Sequence, residues 1–275
     1  MKRLINNRPQ LLGKILLGAL PFIATLIAYL WFSGLRLEDN PDDKLMPSLT
    51  TMLESIGRLA FEPSKRTGEY VMWGDTQASL LRLLVAVLVS AAIGLTFGLL
   101  TGSIPLLHAH LAPYITILSL VPPMAILPVL LVLFGLGEVS KVMLIVIGIA
   151  PFIIRDLQGR ALEIPTEQLI KAQTLGASTW QVVTRVVLPQ ILPRLFENVR
   201  LSLGSAWLFL IAAEAIAAEN GLGYRIFLVR RYMSMDVILP YVVWITLLAF
   251  ALDWMLRVIS RRAFPWFHQL NGNSR

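Results

Sequence analysis

The chain has 275 residues, of which 56% are hydrophobic and only 15% charged, and it carries a formal charge of +7. A soluble globule of this size has too little interior to bury so much apolar surface, so the surplus must face lipid in a single membrane domain. The absence of cysteine excludes disulfides and thiolate metal sites, and a basic excess of the kind that collects on cytoplasmic loops argues against nucleic acid as a partner.

The first apolar run, Ile15 to Phe32, follows Lys2, Arg3, Arg8 and Lys14. That basic flank places an amino-terminal segment, residues 1–14, in the cytoplasm. The run is long for a signal core and no clean small-x-small site follows it, so a retained helix is expected rather than a cleaved leader. Residues 34–75 read as a polar external loop with the acidic cluster Glu38, Asp39, Asp42 and Asp43. Within it, Leu49, Met52, Leu53, Ile56, Leu59 and Ala60 recur at helical spacing, which predicts an amphipathic surface helix.

The next span, Leu83 to Leu100, carries Gly94, Gly98 and Gly102 at four-residue intervals, a stripe that lets another helix approach closely. The third, Leu111 to Phe134, contains Pro122, Pro123 and Pro128. These remove backbone donors and must bend or break the helix, which fits a pathway wall and a structural kink equally. After the turn 135–140 comes a fourth span, Val142 to Ile154, extending toward Arg160 and bent at Pro151. The fifth, Val199 to Ala218, and the sixth, Val237 to Ile259, complete an all-α membrane domain over 15–265, with a cytoplasmic tail at 266–275. This topology puts fourteen Lys and Arg on the cytoplasmic segments and ten on the other side, as the positive-inside rule asks. Arg225, Arg230 and Arg231 run against that rule.

Residues 155–198, between the fourth and fifth spans, are polar yet ordered in pattern. Pro165 can begin a helix, 167–175 are good helix formers, Gly176 ends that helix, and Ser178 is a cap for a second one over 179–187. Two short helices are expected to meet at Gly176.

In this segment Ile170-Lys-Ala-Gln-Thr-Leu-Gly-Ala-Ser-Thr-Trp, followed by Val186-Val-Leu-Pro189, resembles the EAA loop of bacterial binding-protein-dependent ABC importer permeases. Gly176, Val186, Leu188 and Pro189 fit the spacing. The Glu-Ala-Ala triplet falls on Ile170, Lys171 and Ala172 and keeps only its last alanine, so no role of its glutamate carries over. Leu120-Val-Pro-Pro-Met-Ala-Ile-Leu-Pro128, Phe134-Gly-Leu-Gly-Glu138, Ala213-Glu-Ala-Ile-Ala217 and Gly221-Leu-Gly223 resemble the nitrate, sulfonate and taurine (NitT/TauT) branch. The likeness spans about 76–265 and, by overall similarity, is greatest to permeases encoded near urea- or guanidine-degrading carboxylases.

The resemblance implies six transmembrane helices of the type I importer permease kind, working as a homodimer in the bacterial inner membrane with both termini cytoplasmic. It implies two cytoplasmic ATPase subunits that carry the ATP and Mg, no cofactor on this chain, and a periplasmic or lipid-anchored solute-binding protein. The cargo would be a small solute of the nitrate, sulfonate or taurine kind, or a urea- or guanidine-type nitrogen compound. Lys171, Ala172, Leu175, Gly176, Ala177, Ser178, Leu188 and Pro189 would form the ATPase-coupling loop. In that reading Ala172, Leu175 and Ala177 make a small apolar docking face, Gly176 permits the bend, and Trp180 anchors the second helix; ordinary packing is the plainer account of each residue alone.

No catalytic constellation competes, because GxxxxGK(S/T), HExxH and GxSxG are all missing. His108 and His110 are two apart and point to different helix faces, which argues against a metal pair. Glu214 is the acidic residue deep in an apolar run, and a charge there must face a cavity or a partner. It reads as a pathway residue or, more simply, as a structural pair with an arginine or backbone. Pro122, Pro123, Ser202, Ser205 and Trp207 are the other path candidates. An ion-gradient-driven transporter is the competing class, and it would be expected to carry more intramembrane charge than a nearly solitary Glu214.

Overall fold

The computed structural model describes residues 10–41, 43–64 and 68–272. Lys2, Arg3, Arg8, Asp42 and the last three residues of the tail lie outside that description. Among the described residues every regular element is a helix.

Helix α1 (Leu11–Asp39) is apolar along its length and stands clear of the bundle, with none of its most apolar 18-residue window buried. Its attachment runs through the following turn, where Tyr29 Oη donates to the Pro47 carbonyl at 2.7 Å and Ser33 Oγ to that of Met46 at 2.9 Å. Asp43 sits in that turn, and its carboxyl is held below the ordinary range by the Leu45 N–H and then by the Arg36 guanidinium. The amphipathic stretch forms α2 (Leu49–Phe61), capped by Ser48, whose side chain accepts from the Thr51 N–H. Its Ser55 hydroxyl reaches Asp236 at 2.6 Å and so ties the helix to the bundle.

Helix α3 (Val71–Ser103) begins twelve residues before the apolar run at Leu83, because the polar first turns of the helix are buried rather than solvated. α4 (Pro105–Leu120) and α5 (Pro123–Phe134) meet at 95°, so the third apolar stretch is a broken pair. The break follows from Pro122 and Pro123, which offer no N–H to the preceding turn, while Pro123 suits the first position of a new helix. α6 (Glu138–Leu162) and α11 (Met235–Ala263) are long spans, and α12 (Pro265–Gly272) follows α11. The short helices α7 (Thr166–Thr174) and α8 (Thr179–Val182) come after α6, and a π turn, Val183–Val187, joins α8 to α9 (Leu188–Ala217). Among the described residues five helices are long and apolar enough to cross a membrane, or six if the bent α4–α5 pair counts as one span.

The centre of the bundle is the contact of α3 with α6, backed by α9. A Cβ on Gly94 would lie 2.3 Å from the Ile153 side chain, one on Gly98 2.7 Å from Leu157 Cβ, and one on Gly102 2.4 Å from Ala161 Cβ. Gly148 of α6 receives the Phe209 ring of α9 in the same way, at 2.4 Å. The glycine stripe therefore sets the distance between the two helix axes. Gly98→Ala is expected to lower the thermal midpoint in detergent by the equivalent of about 1–3 kcal/mol, as overpacking does. Gly159 of α6, where a Cβ would meet nothing within 4 Å, is the control, and alanine there should leave the midpoint level or slightly raised. Equal midpoints for the two variants would show that the stripe is not a close contact.

Candidate functional site

α3 places Asp75, Ser79 and Arg82 at i, i+4 and i+7, on one helical face. That face meets the first residue of α6, the last turn of α9 and a short helix, α10 (Leu222–Arg230). Arg82 uses all five of its donors. Nε and Nη2 grip the two oxygens of Glu138, the latter at 2.9 Å. Nη1 donates to Glu214 Oε1 at 2.8 Å and to the Asn220 carbonyl at 2.9 Å, and Nη2 also reaches Asn220 Oδ1 at 2.6 Å. Lys141 Nζ donates to Glu138 Oε1 at 2.9 Å.

The same cluster caps α10. Its first N–H groups lack partners within the helix and find them on other elements: Gly221 N–H on Asp75 Oδ1 at 3.0 Å, Leu222 N–H on Ser79 Oγ at 2.8 Å and Gly223 N–H on Glu214 Oε2 at 2.8 Å. Gly221 has φ +121°, and a Cβ there would strike the Glu214 carboxylate at 2.6 Å, so the chain can turn back this closely only through glycine. Arg225 Nε completes the cluster by donating to Asp75 Oδ2 at 2.8 Å, and Tyr241 Oη donates to the same oxygen at 3.2 Å. Three carboxylates and three cations thus balance in charge. The side chains of Asp75 and Glu214 are 2% and 0% exposed and that of Arg82 6%, whereas Glu138 is 60% exposed. Charges this deeply enclosed persist only when paired and hydrogen-bonded.

The opposite end of α6 and α9 carries an elbow made by α7 and α8. Gly176 adopts φ +83°, and the Ala177 N–H returns to the Ala172 carbonyl at 3.0 Å. Ser178 and Gln181 form a reciprocal capping box that starts α8. Lys171 and Ser178 are exposed, and Ala172 and Ala177 are half-buried against the core. Leu175 and Trp180 stand out at 87% and 66% exposure. The outward apolar surface of the elbow is therefore Leu175 and Trp180, with Ile170, rather than the two alanines. A concavity of about 290 Å³ lies beside Leu175, bounded by Gly176, Ala177, Gln181, Arg185 and Val186. Leu188 N–H closes the π turn on the Val183 carbonyl. Pro189 follows with no N–H to give Arg185, and the ladder widens there.

The path candidates do not converge. Pro122 is exposed and Pro123 half-buried at the α4–α5 break, and on α9 Ser205 is exposed and Ser202 half-buried. Ser205 shares an outward stripe with Leu201, Gly204 and Leu208. Trp207 and Glu214 are buried within the bundle, and Trp207 Nε1 has no hydrogen-bond partner among the described residues. His108 Nδ1 pairs with Gln158 Nε2 at 2.8 Å. Glu214 is not solitary: Asp75, Arg82, Glu138, Lys141 and Arg225 join it. The readable signal was the 75, 79, 82 spacing, which shows once the helix is extended upstream of Leu83. Arg225, which the charge count left running against the positive-inside rule, belongs to this cluster through Asp75.

The fold and site define a multi-pass membrane permease. Residues 94–265 match the family described as binding-protein-dependent transport system inner membrane component. The chain belongs to this family, the permease subunits of ABC importers. It is 37% identical over 196 residues to the taurine transport system permease protein TauC of Escherichia coli (strain K12), covering 71% of each chain. It is 30% identical to the putative aliphatic sulfonates transport permease protein SsuC of Bacillus subtilis (strain 168), over 78% of this chain and 77% of that one. The nitrate import permease protein NrtB of Leptolyngbya laminosa is 27% identical over 93% of this chain and 91% of its own. A chain of the inward-facing MetNI methionine ABC transporter shares the fold, with TM-score 0.63 at 23% identity, over 72% of this chain and 98% of that one.

Proposed function

We propose that the chain carries a small polar solute inward across the bacterial inner membrane as one of two identical permease copies, with the path at the dimer centre. The observation that carries this reading is the elbow between α6 and α9, with Trp180 exposed and Leu175 exposed beside a concavity. Two cytoplasmic ATPase subunits dock there, and ATP and Mg bind to them rather than to this chain. Both termini are cytoplasmic, and a periplasmic or lipid-anchored binding protein delivers solute at the end that bears the charge cluster. The outward stripe of α9 with Ser205, the half-buried Ser202 next to it, and the break at Pro122 and Pro123 wall the path, while Trp207 and Glu214 face the bundle.

The named relatives, which transport taurine, aliphatic sulfonates and nitrate by their descriptions, favour a small oxyanion; a urea- or guanidine-type nitrogen compound is the second candidate. Co-purification from membranes tests the assembly, followed by ATP hydrolysis with the binding protein and each candidate solute. An ATPase should come along with the chain, and one solute class should stimulate it. A chain isolated alone that transports on an ion gradient would overturn the mechanism.

A further inference from the structure

Two long helices flank the elbow, and both reach the charge cluster with their far ends. α6 runs from Glu138 to Leu162, and α9 runs from Leu188 past Glu214 to Ala217. At ~1.5 Å per residue each strut is about 35–40 Å long from elbow to cluster. Close-packed helices transmit displacement rather than absorb it, so an elbow movement that displaces α6 and α9 unequally shifts Glu138 relative to Glu214. Arg82 hydrogen-bonds to both of those carboxylates, and through Asn220 it also holds the start of α10.

The two halves of this grip differ in how readily they part. Glu138 is 60% exposed and water can take over its hydrogen bonds, whereas Glu214 is 0% exposed and would be left as a lone buried charge. The stripe contacts of α3 begin at Ile153 of α6, well along the helix from Glu138, and Lys141 and Glu138 stay paired if only the first turn of α6 withdraws. Arg82 then keeps Glu214 and Asn220, so parting at Glu138 leaves no buried charge alone.

We propose that Arg82 is the positioning residue of a latch at the end of the permease opposite its ATPase. The latch holds α6 to α9 and α10 in the resting state and releases Glu138, not Glu214, when the elbow moves. This inference rests on the importer reading and deepens it by naming the element that makes solute entry depend on the ATPase.

The test uses the full complex in proteoliposomes, with permease, ATPase and binding protein present. It measures ATP hydrolysis with and without the binding protein, and solute taken up per ATP. Glu138→Gln removes the charge from the exposed half of the latch. It should raise hydrolysis without the binding protein about tenfold, the factor equivalent to ~1.4 kcal/mol, and lower uptake per ATP. Glu138→Asp, which keeps the charge, should restore part of both. Basal hydrolysis and uptake per ATP at the unaltered values, or a lowered thermal midpoint with uptake per ATP unchanged, would overturn the latch. The unaltered chain decides the importer reading separately: no ATP-dependent uptake there overturns that reading and the latch with it.

Discussion

Arg82→Met is expected to destabilise the bundle by about 3–5 kcal/mol, the usual consequence of removing one partner of a buried ion pair. Glu214 has no solvent to turn to, and the variant leaves it with Ser79 and the Gly223 N–H alone. Thermal unfolding of the detergent-solubilised chain measures the loss. Adding Glu214→Gln should recover much of it, because an amide tolerates burial without a cationic partner far better than a carboxylate does. A midpoint unchanged in Arg82→Met would mean that the pairing of Arg82 with Glu214 does not hold the bundle together.

Deleting residues 170–178 should abolish association with the ATPase while leaving membrane insertion intact. The segment buries no residue of α7 and belongs to none of the apolar stretches that insert. Leu175→Asp is the finer probe, since an exposed apolar side chain beside a concavity is the kind of anchor that contributes 2 kcal/mol or more, or roughly thirtyfold in affinity. Pull-down of the ATPase with each variant measures the effect. Association retained after the deletion would sink the assignment of the elbow.

The fold was legible where lipid imposes a single rule. Apolar runs of spanning length, the proline break at 122–123 and the glycine stripe at 94, 98 and 102 each follow from local chemistry. The elbow was legible for the same reason, because a glycine at φ +83° and a serine followed three residues later by glutamine have few other uses. The charge cluster was not. Its members come from five separate stretches of the chain, and Arg82 and Asp75 stand at the polar edge of a span, where hydropathy reads them as loop. Their pairing is tertiary, and nothing within any one stretch marks the partner. Which face of the elbow points outward was equally hidden, since the half-burial of Ala172 and Ala177 depends on what the rest of the bundle places beneath them.

The π turn at Val183–Val187 ties the direction of the elbow to residue count. A π turn holds one residue more than the α-helical turn it replaces, and one residue corresponds to about 100° of rotation in an α-helix. Loss of a single residue there would let the ladder revert to ordinary spacing. α9 would keep its place in the bundle while Leu175 and Trp180 swung by that angle around its axis. The partner would then meet an intact surface aimed the wrong way, so relatives that share this surface should tolerate changes of residue type in the turn more readily than changes in its length.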